Sequence, residues 1–328
     1  MPTLSSALAT QAAARQSVMP VPGRSRRVQR RSRWRVASVG LVLAMAGHAA
    51  SGRAPAPLPQ MTLATAADRV LVIAPHPDDE SLCCAGYLQQ AVQIGARVAV
   101  VWITAGDSFE IDAMVTERTL RPKGAGLEKL GLRRIAEAHA AADLLGIARA
   151  NQFLLGFPDR DIGALLRSPR ATPLRSPYTG VSAVPYTEAL HPGSAYTGVN
   201  LRRDLQQVID DFAPTVVLAA APQDRHPDHS ASGALALELL RSSLPKTRLY
   251  YWIVHGGRKW PAPRGLHREL ALIPPGNAAA LHWRQLPLTA AQVAGKYAAL
   301  HAHRSQLKVM DRFLNAFVRA NEIYAPAP

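Results

Sequence analysis

The sequence predicts a doubly wound α/β fold, in which a mostly parallel sheet carries helices on both of its faces. The first observation is a series of five β-favouring apolar runs, most of them separated by sequence that is compatible with helices. The second is that the first and fourth runs lack polar alternation, as strands buried on both faces of a parallel sheet do. The five runs are 69–74, 97–103, 150–155, 214–220 and 247–254.

Helices are expected directly after two of these strands. Ser81 to about Gln93 follows the first strand, and Ser230 to Leu240 follows the fourth. Near the C-terminus, residues 268–288 suggest a pair of short strands around a Pro-Pro-Gly-Asn turn, and residues 289–320 suggest closing helices. About 260 residues are enough for one such domain with a large core.

One connection is longer than the loops that usually join strands and helices in this fold. Residues 157–199 are rich in Pro, Gly, Ser, Thr and Tyr, and connections of this length are usually either functional lids or disordered. We expect the segment to overhang the carboxyl edge of the sheet and to shape a substrate site. Tyr178, Tyr186 and Tyr196 are candidates for stacking against a sugar, with surface filling as the alternative for each.

Clusters of metal-ligand residues follow two of the predicted strands. Residues 76–80 read His-Pro-Asp-Asp-Glu and residues 226–229 read His-Pro-Asp-His, both at strand-to-helix turns, where ligands bind in open α/β sheets. Catalytic zinc takes three protein ligands and leaves one position open. His76, Asp79 and His229 supply such a set for Zn²⁺ or another divalent ion such as Fe²⁺. A single His-Pro-Asp is usually an ordinary turn, but two of them after buried strands favour a metal site.

Three further polar residues in these motifs are not needed as metal ligands and are candidates for catalytic roles. Asp78, beside a metal ligand, is well placed to take a proton from an attacking water, whose pKa a bound ion lowers to roughly 7. His226, if protonated, can stabilise an oxyanion or protonate a leaving amine. Asp228 is a candidate for orienting His226. His139, His301 and His303 lie in predicted helices, where packed or solvent-facing histidine is the commoner explanation.

These motifs resemble those of the PIG-L or LmbE-like N-acetylglucosaminyl deacetylases. The first family motif matches residues 75–86 and the second matches 226–229. Weaker similarities are the Thr-Ala-Gly-Asp turn at 104–107, the Arg-x-x-Glu helix around 134–137, the Phe-Pro-Asp loop at 157–159 and the C-terminal helix at 296–306. The resemblance covers about residues 68–324 and implies a Rossmann-like, LmbE-type fold.

The resemblance also implies roles for individual residues. His76, Asp79 and His229 become zinc ligands, Asp78 the general base, and His226 the group that assists the tetrahedral intermediate and the leaving amine. Arg134 and Asp159 become candidates for binding substrate. In one departure, some family members carry a tyrosine two residues before the second motif, where this chain has Asp224 with Arg225 beside it. Stabilisation of the oxyanion then falls to zinc, His226 or Arg225.

The N-terminal 67 residues differ in character from the rest of the chain. They contain nine Arg, no Lys and no acidic residue, and a basic stretch at 24–35 precedes a 15-residue apolar segment at 36–50. This layout is typical of a secretory signal, and the apolar segment is shorter than the ~20 residues of a membrane-spanning helix. We therefore divide the chain into an extension (1–67) and a deacetylase-like domain (68–324). A disordered basic tail on a cytoplasmic enzyme is the alternative.

Charge and cysteine content narrow the classes of function. The chain has a formal net charge of +15, but nine of the basic residues precede residue 54, which leaves 29 basic and 23 acidic residues in the rest. With aromatic residues at only 6% and no basic stripe, nucleic-acid binding is disfavoured. The two cysteines, Cys83 and Cys84, are adjacent and not expected to bridge each other readily.

The sequence thus predicts an exported, periplasmic or extracellular, zinc-dependent deacetylase that acts on an N-acetylglucosamine-containing substrate, and its oligomeric state stays open. An amidase acting on another N-acyl conjugate is the alternative among enzymes. From a different class, the alternative is a catalytically inactive carbohydrate-binding protein. Asp78 discriminates against the latter, because a binding module has no use for a spare carboxylate beside a metal site.

Overall fold

The structure is a computed structural model that describes residues 57–328 except 117, 119–121 and 169–171. The predicted export signal lies outside the described residues. The strands of the described part are β1 (Arg69–Ala74), β2 (Arg97–Thr104), β3 (Gln152–Phe157), β4 (Val216–Ala220), β5 (Arg248–Trp252), β6 (Arg284–Pro287) and β7 (Asn321–Pro326). Its α-helices are α1 (Asp79–Gln93), α2 (Glu110–Thr116), α3 (Ala125–Leu144), α4 (Ile162–Arg167), α5 (Gly198–Phe212), α6 (Pro227–Ser243), α7 (Ala290–Leu300) and α8 (Arg304–Leu314).

The strands form one sheet in the order β3-β2-β1-β4-β5-β7-β6. The first five are parallel to their neighbours, and β7 runs antiparallel to both β5 and β6. Helices α1, α3 and α7 pack together as one layer, while α4, α5 and α6 pack together as another. The predicted doubly wound, mostly parallel α/β fold is confirmed.

The central strands are apolar because both of their faces are covered. Val70 to Ala74 in β1 and Val216 to Ala220 in β4 have no exposed surface. Full burial of a Val, Leu or Ile side chain contributes roughly 1.5–3 kcal/mol, so these two strands anchor the core. The order of strands along the sheet reverses between β1 and β4, and the loops after them open into the same crevice, the usual ligand site of such sheets.

The C-terminal part differs from the sequence expectation. Only one strand, β6, forms within 268–288, so the predicted pair of short strands was wrong. Its partner is β7, which the sequence analysis missed because Asn321 and Glu322 interrupt its apolar pattern although both are buried. Beside β6, Met61 donates its backbone N–H to the carbonyl of Gln285 at 2.7 Å and is itself buried.

The long connection contains α4 and otherwise packs as irregular structure. Tyr186 and Tyr196 are 1% and 0% exposed, so the expectation that they stack against a sugar was wrong. Tyr186 instead donates its hydroxyl proton to Asp107 Oδ2 at 2.5 Å, as a buried tyrosine requires. Tyr178 is less buried and lies beneath the Arg160 guanidinium, 5.3 Å from the ring centroid.

Two further observations concern the expectations from composition. Cys83 and Cys84, not expected to bridge, form a disulfide within α1. In the part of the chain that the structure describes, no helix is both long and apolar enough to cross a membrane.

Candidate active site

Three potential metal-ligand atoms converge where β1 and β4 end. His76 Nδ1 lies 3.1 Å from His229 Nε2 and 3.5 Å from Asp79 Oδ2, and the last two atoms are 3.3 Å apart. Asp79 is the first residue of α1, and His229 lies in the first turn of α6. The loops of the switch point therefore bring together the three residues that the sequence pattern selected.

The spacing of these atoms fits a small divalent cation. Zinc–ligand bonds of 2.0–2.1 Å in a tetrahedron place neighbouring ligand atoms about 3.3–3.4 Å apart, and the three observed separations bracket this value. Two imidazoles and one carboxylate are also a common donor set of catalytic zinc. Other triads can be drawn in the same cluster with His226, with Asp224 and His255, or with Asp159 and Asp228. Asp79 Oδ2 also accepts the backbone N–H of His76 at 2.9 Å, which holds this carboxylate beside the histidine.

The far nitrogen of His76 contacts two carboxylates. His76 Nε2 lies 3.1 Å from Asp159 Oδ1 and 3.3 Å from Asp228 Oδ2. Burial opposes a charge on this ring, but the Asp159 and Asp228 carboxylates outweigh it and raise the pKa of His76 well above its ordinary value. A bound cation competes with that proton, so metal affinity falls in acid. Asp159, predicted to bind substrate, thus lies in direct contact with a predicted metal ligand.

The far nitrogen of His229 points to Asp224. His229 Nδ1 lies 3.3 Å from Asp224 Oδ2, off the line of an ideal hydrogen bond. Although burial favours the neutral acid, the neighbouring His229 and His255 hold the pKa of Asp224 well below its usual range. Asp224 therefore presents a carboxylate to a histidine that is a predicted metal ligand.

Asp78 lies in the same cleft in an unusual backbone conformation. Its φ is 115°, a region that disfavours L-residues, and such strain commonly persists at functional sites. The conformation is held because its carbonyl accepts the N–H groups of Ser81 and Leu82 at 3.0 and 2.9 Å. Burial raises the pKa of the Asp78 carboxyl to about 7, and the Arg134 guanidinium opposes that shift. A carboxylate that titrates near neutral pH suits a general base.

Arg134 ties the loops of the site together. Its Nη1 donates to the carbonyl of Gly106 at 2.7 Å, and its Nη2 donates to the carbonyl of Pro77 at 2.8 Å. The same nitrogen lies 3.4 Å from Asp78 Oδ2. In the orientation of the Gln306 amide that satisfies the hydrogen bonds of its neighbours, the amide oxygen of Gln306 accepts from Arg134 Nη2 at 2.9 Å. These contacts show a positioning role, and a substrate-binding role for Arg134 stays a prediction.

His226 caps the start of α6 at the cleft. Its Nδ1 accepts the backbone N–H of Asp228 at 3.3 Å. Burial, reinforced by the charges of His76 and His229, lowers the pKa of His226 to about 2, so the ring is neutral. This differs from the expected imidazolium. The carboxylate of Asp228 also points away from the His226 ring, because it accepts the N–H groups of Arg160 and Ile162 at 2.6 and 3.2 Å.

Two polar residues of the cleft were not predicted from the sequence. His255 lies just beyond β5, with its ring centroid 5.0 Å from that of His226 and 4.8 Å from that of His229. The signal was present, because a histidine directly after a buried strand falls at the carboxyl edge. Arg160 lines the opposite side with a φ of 68°, and nothing in its residue type pointed to the site.

The cleft has a polar floor and an apolar wall. Its volume is about 230 Å³. The polar part holds the predicted ligands together with Asp78, Arg134, Asp159 and His226, while the apolar wall is formed by Leu82, Phe109, Val254, Met310, Phe313 and Leu314. Such a division suits a ligand that is oriented by a few polar groups and held by apolar contact.

The fold and the site define a class: an α/β protein that builds a potential His/Asp metal-ligand cluster from two loops at the switch point of its sheet. The chain belongs to the PIG-L family, since the family profile described as GlcNAc-PI de-N-acetylase matches residues 71–240.

Curated relatives match most of the chain. The 1D-myo-inositol 2-acetamido-2-deoxy-alpha-D-glucopyranoside deacetylase of Actinosynnema mirum is 29% identical over 261 residues, which cover 76% of this chain and 84% of that protein. The protein of the same description from Corynebacterium jeikeium is 27% identical, covering 81% and 86%.

Solved structures share the fold. N,N'-diacetylchitobiose deacetylase from Pyrococcus horikoshii superposes with a TM-score of 0.50 at 20% identity, over 80% of this chain and 84% of that chain. The zinc-inhibited form of teicoplanin deacetylase Orf2 superposes with a TM-score of 0.51 at 22% identity, over 79% and 97%. At these identities the likeness establishes the fold alone.

Proposed function

We propose that this protein is a metal-dependent hydrolase that removes the N-acetyl group from an N-acetylglucosamine-containing substrate. The observation that carries the proposal is the triangle of His76, Asp79 and His229 donor atoms with the buried Asp78 carboxyl in the same cleft. Membership of the PIG-L family supports the reaction class. The named activities of the relatives from Actinosynnema mirum and Corynebacterium jeikeium support an acetamido sugar as substrate.

The residues of the cleft have different roles in the proposed hydrolysis of the amide. His76, Asp79 and His229 would hold a divalent cation, which would supply a Lewis acid to polarise the amide carbonyl and lower the pKa of water. Asp78 takes the proton of the attacking water and returns it to the leaving nitrogen. His226, whose Nδ1 is occupied as an acceptor, directs a neutral Nε2–H into the cleft, where it donates to the developing oxyanion.

We propose zinc as the resident ion, with Fe²⁺ as the alternative. The donor set contains no thiolate, and two imidazoles with one carboxylate suit either ion. The discriminating observation is elemental analysis of protein purified without added metal, followed by activity after reconstitution with each ion.

The proposed substrate is an extracytoplasmic glycan. The support for this is the predicted division into an N-terminal extension at 1–67, with a predicted export signal, and a deacetylase-like domain at 68–324. An exported enzyme meets cell-wall and surface glycans rather than nucleotide sugars. N-terminal sequencing of protein recovered from periplasm or medium is expected to begin between about residues 48 and 56. If the intact chain were recovered from the cytosol alone, small amino-sugar conjugates would become the favoured class of substrate.

Acetate release tests the proposed reaction. N-acetylglucosamine, its oligomers and N-acetylated glycan polymers are each incubated with the purified protein, before and after removal of metal by a chelator. We expect release from at least one class, loss after chelation and recovery on adding Zn²⁺. Binding of a glycan without acetate release by metal-loaded protein would instead support the carbohydrate-binding alternative.

A further inference from the structure

The side chain of Asp224 joins three segments of the site. It is 5% exposed and lies in the loop between β4 and α6. Its Oδ1 accepts the backbone N–H of His226 at 2.8 Å, and its Oδ2 accepts the N–H groups of Val254 and His255 at 2.9 and 3.0 Å. One carboxylate therefore connects the start of α6 to the chain leaving β5.

The same oxygen faces a predicted metal ligand. Asp224 Oδ2 lies 3.3 Å from His229 Nδ1, on the side of the ring away from His76 and Asp79. A carboxylate at this position stabilises the tautomer in which Nδ1 carries the proton, which leaves the lone pair of Nε2 free for a cation. It also fixes the rotation of the ring about its bond to Cβ.

We propose that Asp224 is a positioning residue that sets the tautomer and orientation of His229. Through their backbone N–H groups, it also holds His226 and His255 beside that ring. It contacts the predicted metal ligand on the side of the ring away from His76 and Asp79 rather than acting on the substrate. The inference rests on the proposed function, because it assigns Asp224 a role toward the metal of that site.

The chemistry of the site requires a carboxylate rather than an amide. Three backbone N–H groups donate to the two oxygens of Asp224, and His229 Nδ1 lies 3.3 Å from Oδ2. An asparagine offers one acceptor oxygen, and its NH₂ group would face either the His226 N–H or the N–H groups of Val254 and His255. The substitution Asp224→Asn therefore leaves at least one buried donor without an acceptor.

The affinity for Zn²⁺ tests this role without relying on activity. The dissociation constant is measured by competition with a chromophoric chelator on the full chain, for the wild type, Asp224→Asn and Asp224→Ser. Loss of such an outer partner of a ligand histidine weakens metal binding by about 10–100-fold, and we expect this change in both variants. The visible spectrum of the Co²⁺-substituted protein should also change, because the ring of His229 is no longer held.

Asp68→Asn is the matched control. Asp68 is a buried aspartate before β1, at the opposite edge of the sheet, and it accepts the backbone N–H of Thr65 at 2.7 Å. Asp68→Asn is expected to lose stability but to retain the Zn²⁺ affinity and Co²⁺ spectrum of the wild type.

The outcomes separate this inference from the proposed function. Wild-type Zn²⁺ affinity in Asp224→Asn would overturn the positioning role and leave the proposed function standing. If Asp224→Asn does not fold, Asp224→Ser decides in the same way, because it removes the charge without introducing an NH₂ group. Absence of divalent-metal binding in the wild type would overturn both.

Discussion

The ring of His226 accepts the backbone N–H of Asp228 through Nδ1 at 3.3 Å, and this bond assigns the proton of the neutral ring to Nε2. The pKa of His226 is lowered to about 2 by burial first and then by the neighbouring histidines. The ring is therefore a neutral hydrogen-bond donor throughout the physiological range, and its N–H can donate to a developing oxyanion.

His226→Ala is expected to lower kcat by roughly 10²–10³-fold while metal content stays at the wild-type level. His226→Gln, which keeps an N–H donor, should recover part of the loss. Because the ring is already neutral, the alkaline limb of the pH–rate profile should be the same in the wild type and in His226→Gln. Loss of that limb in His226→Gln would show that an imidazolium acts as the acid.

Removal of any one of the three metal-ligand side chains is expected to lower metal content. His76→Ala, Asp79→Ala and His229→Ala each leave two protein ligands, too few for stable binding of zinc. Elemental analysis after dialysis against metal-free buffer provides the measurement, with His301→Ala as a control outside the cleft. Equal metal content in the wild type and all three variants would place the metal elsewhere.

Stability should respond to the backbone conformation of Arg160. Its φ of 68° lies in the left-handed region, which costs a residue with a Cβ roughly 1–2 kcal/mol. Arg160→Gly and Arg160→Ala both remove the guanidinium, so their difference isolates the backbone. We expect the free energy of unfolding of Arg160→Gly to exceed that of Arg160→Ala by about 1 kcal/mol in urea titrations. An equal or more stable alanine variant would contradict this.

A buried ion pair stabilises the fold away from the cleft. Lys296 Nζ lies 2.7 Å from Glu322 Oε1, and both side chains are at most 1% exposed. Glu322→Gln leaves the lysine without its counter-charge and is expected to lower the free energy of unfolding by about 3 kcal/mol. The control Glu188→Gln, at a 38% exposed side chain paired with Arg149, should change it by less than about 1 kcal/mol. Equal effects of the two substitutions would contradict the account.

Much of the fold was predictable because its signals are local. The apolar runs of β1 and β4 and the ligand clusters after them identify the switch point without reference to distant residues. The strand β7 was not predictable in this way, because the buried Glu322 carboxylate is paired with Lys296 and with the backbone N–H groups of Gly86 and Tyr87, all distant in sequence. Tyr186 was misassigned for a related reason, since its partner Asp107 lies 79 residues away.

Within the site, residue types indicated the candidate ligands better than the contacts that support those side chains. His76, Asp79 and His229 follow from the motif, whereas the position of the Asp228 carboxylate against His76 rather than His226 depends on the loop after β3. In the sequence, Asp224 was notable only because it differs from the tyrosine that the family resemblance led us to consider at this position. The oxygen that faces His229 also accepts the N–H groups of Val254 and His255, on the chain leaving β5, and these partners are distant in sequence.

The most direct test of the account is the effect of Asp78→Asn on acetate release at known metal content. The substitution keeps the size of the side chain and removes the proton acceptor, so metal content should stay at the wild-type level while kcat falls by roughly 10²–10⁴-fold. In the wild type, the base form is lost as pH falls through the pKa of Asp78, which burial raises to about 7 and a bound cation lowers. The acid limb of the profile should therefore lie at or below pH 7. Acetate release by metal-loaded Asp78→Asn at the wild-type rate would contradict the account.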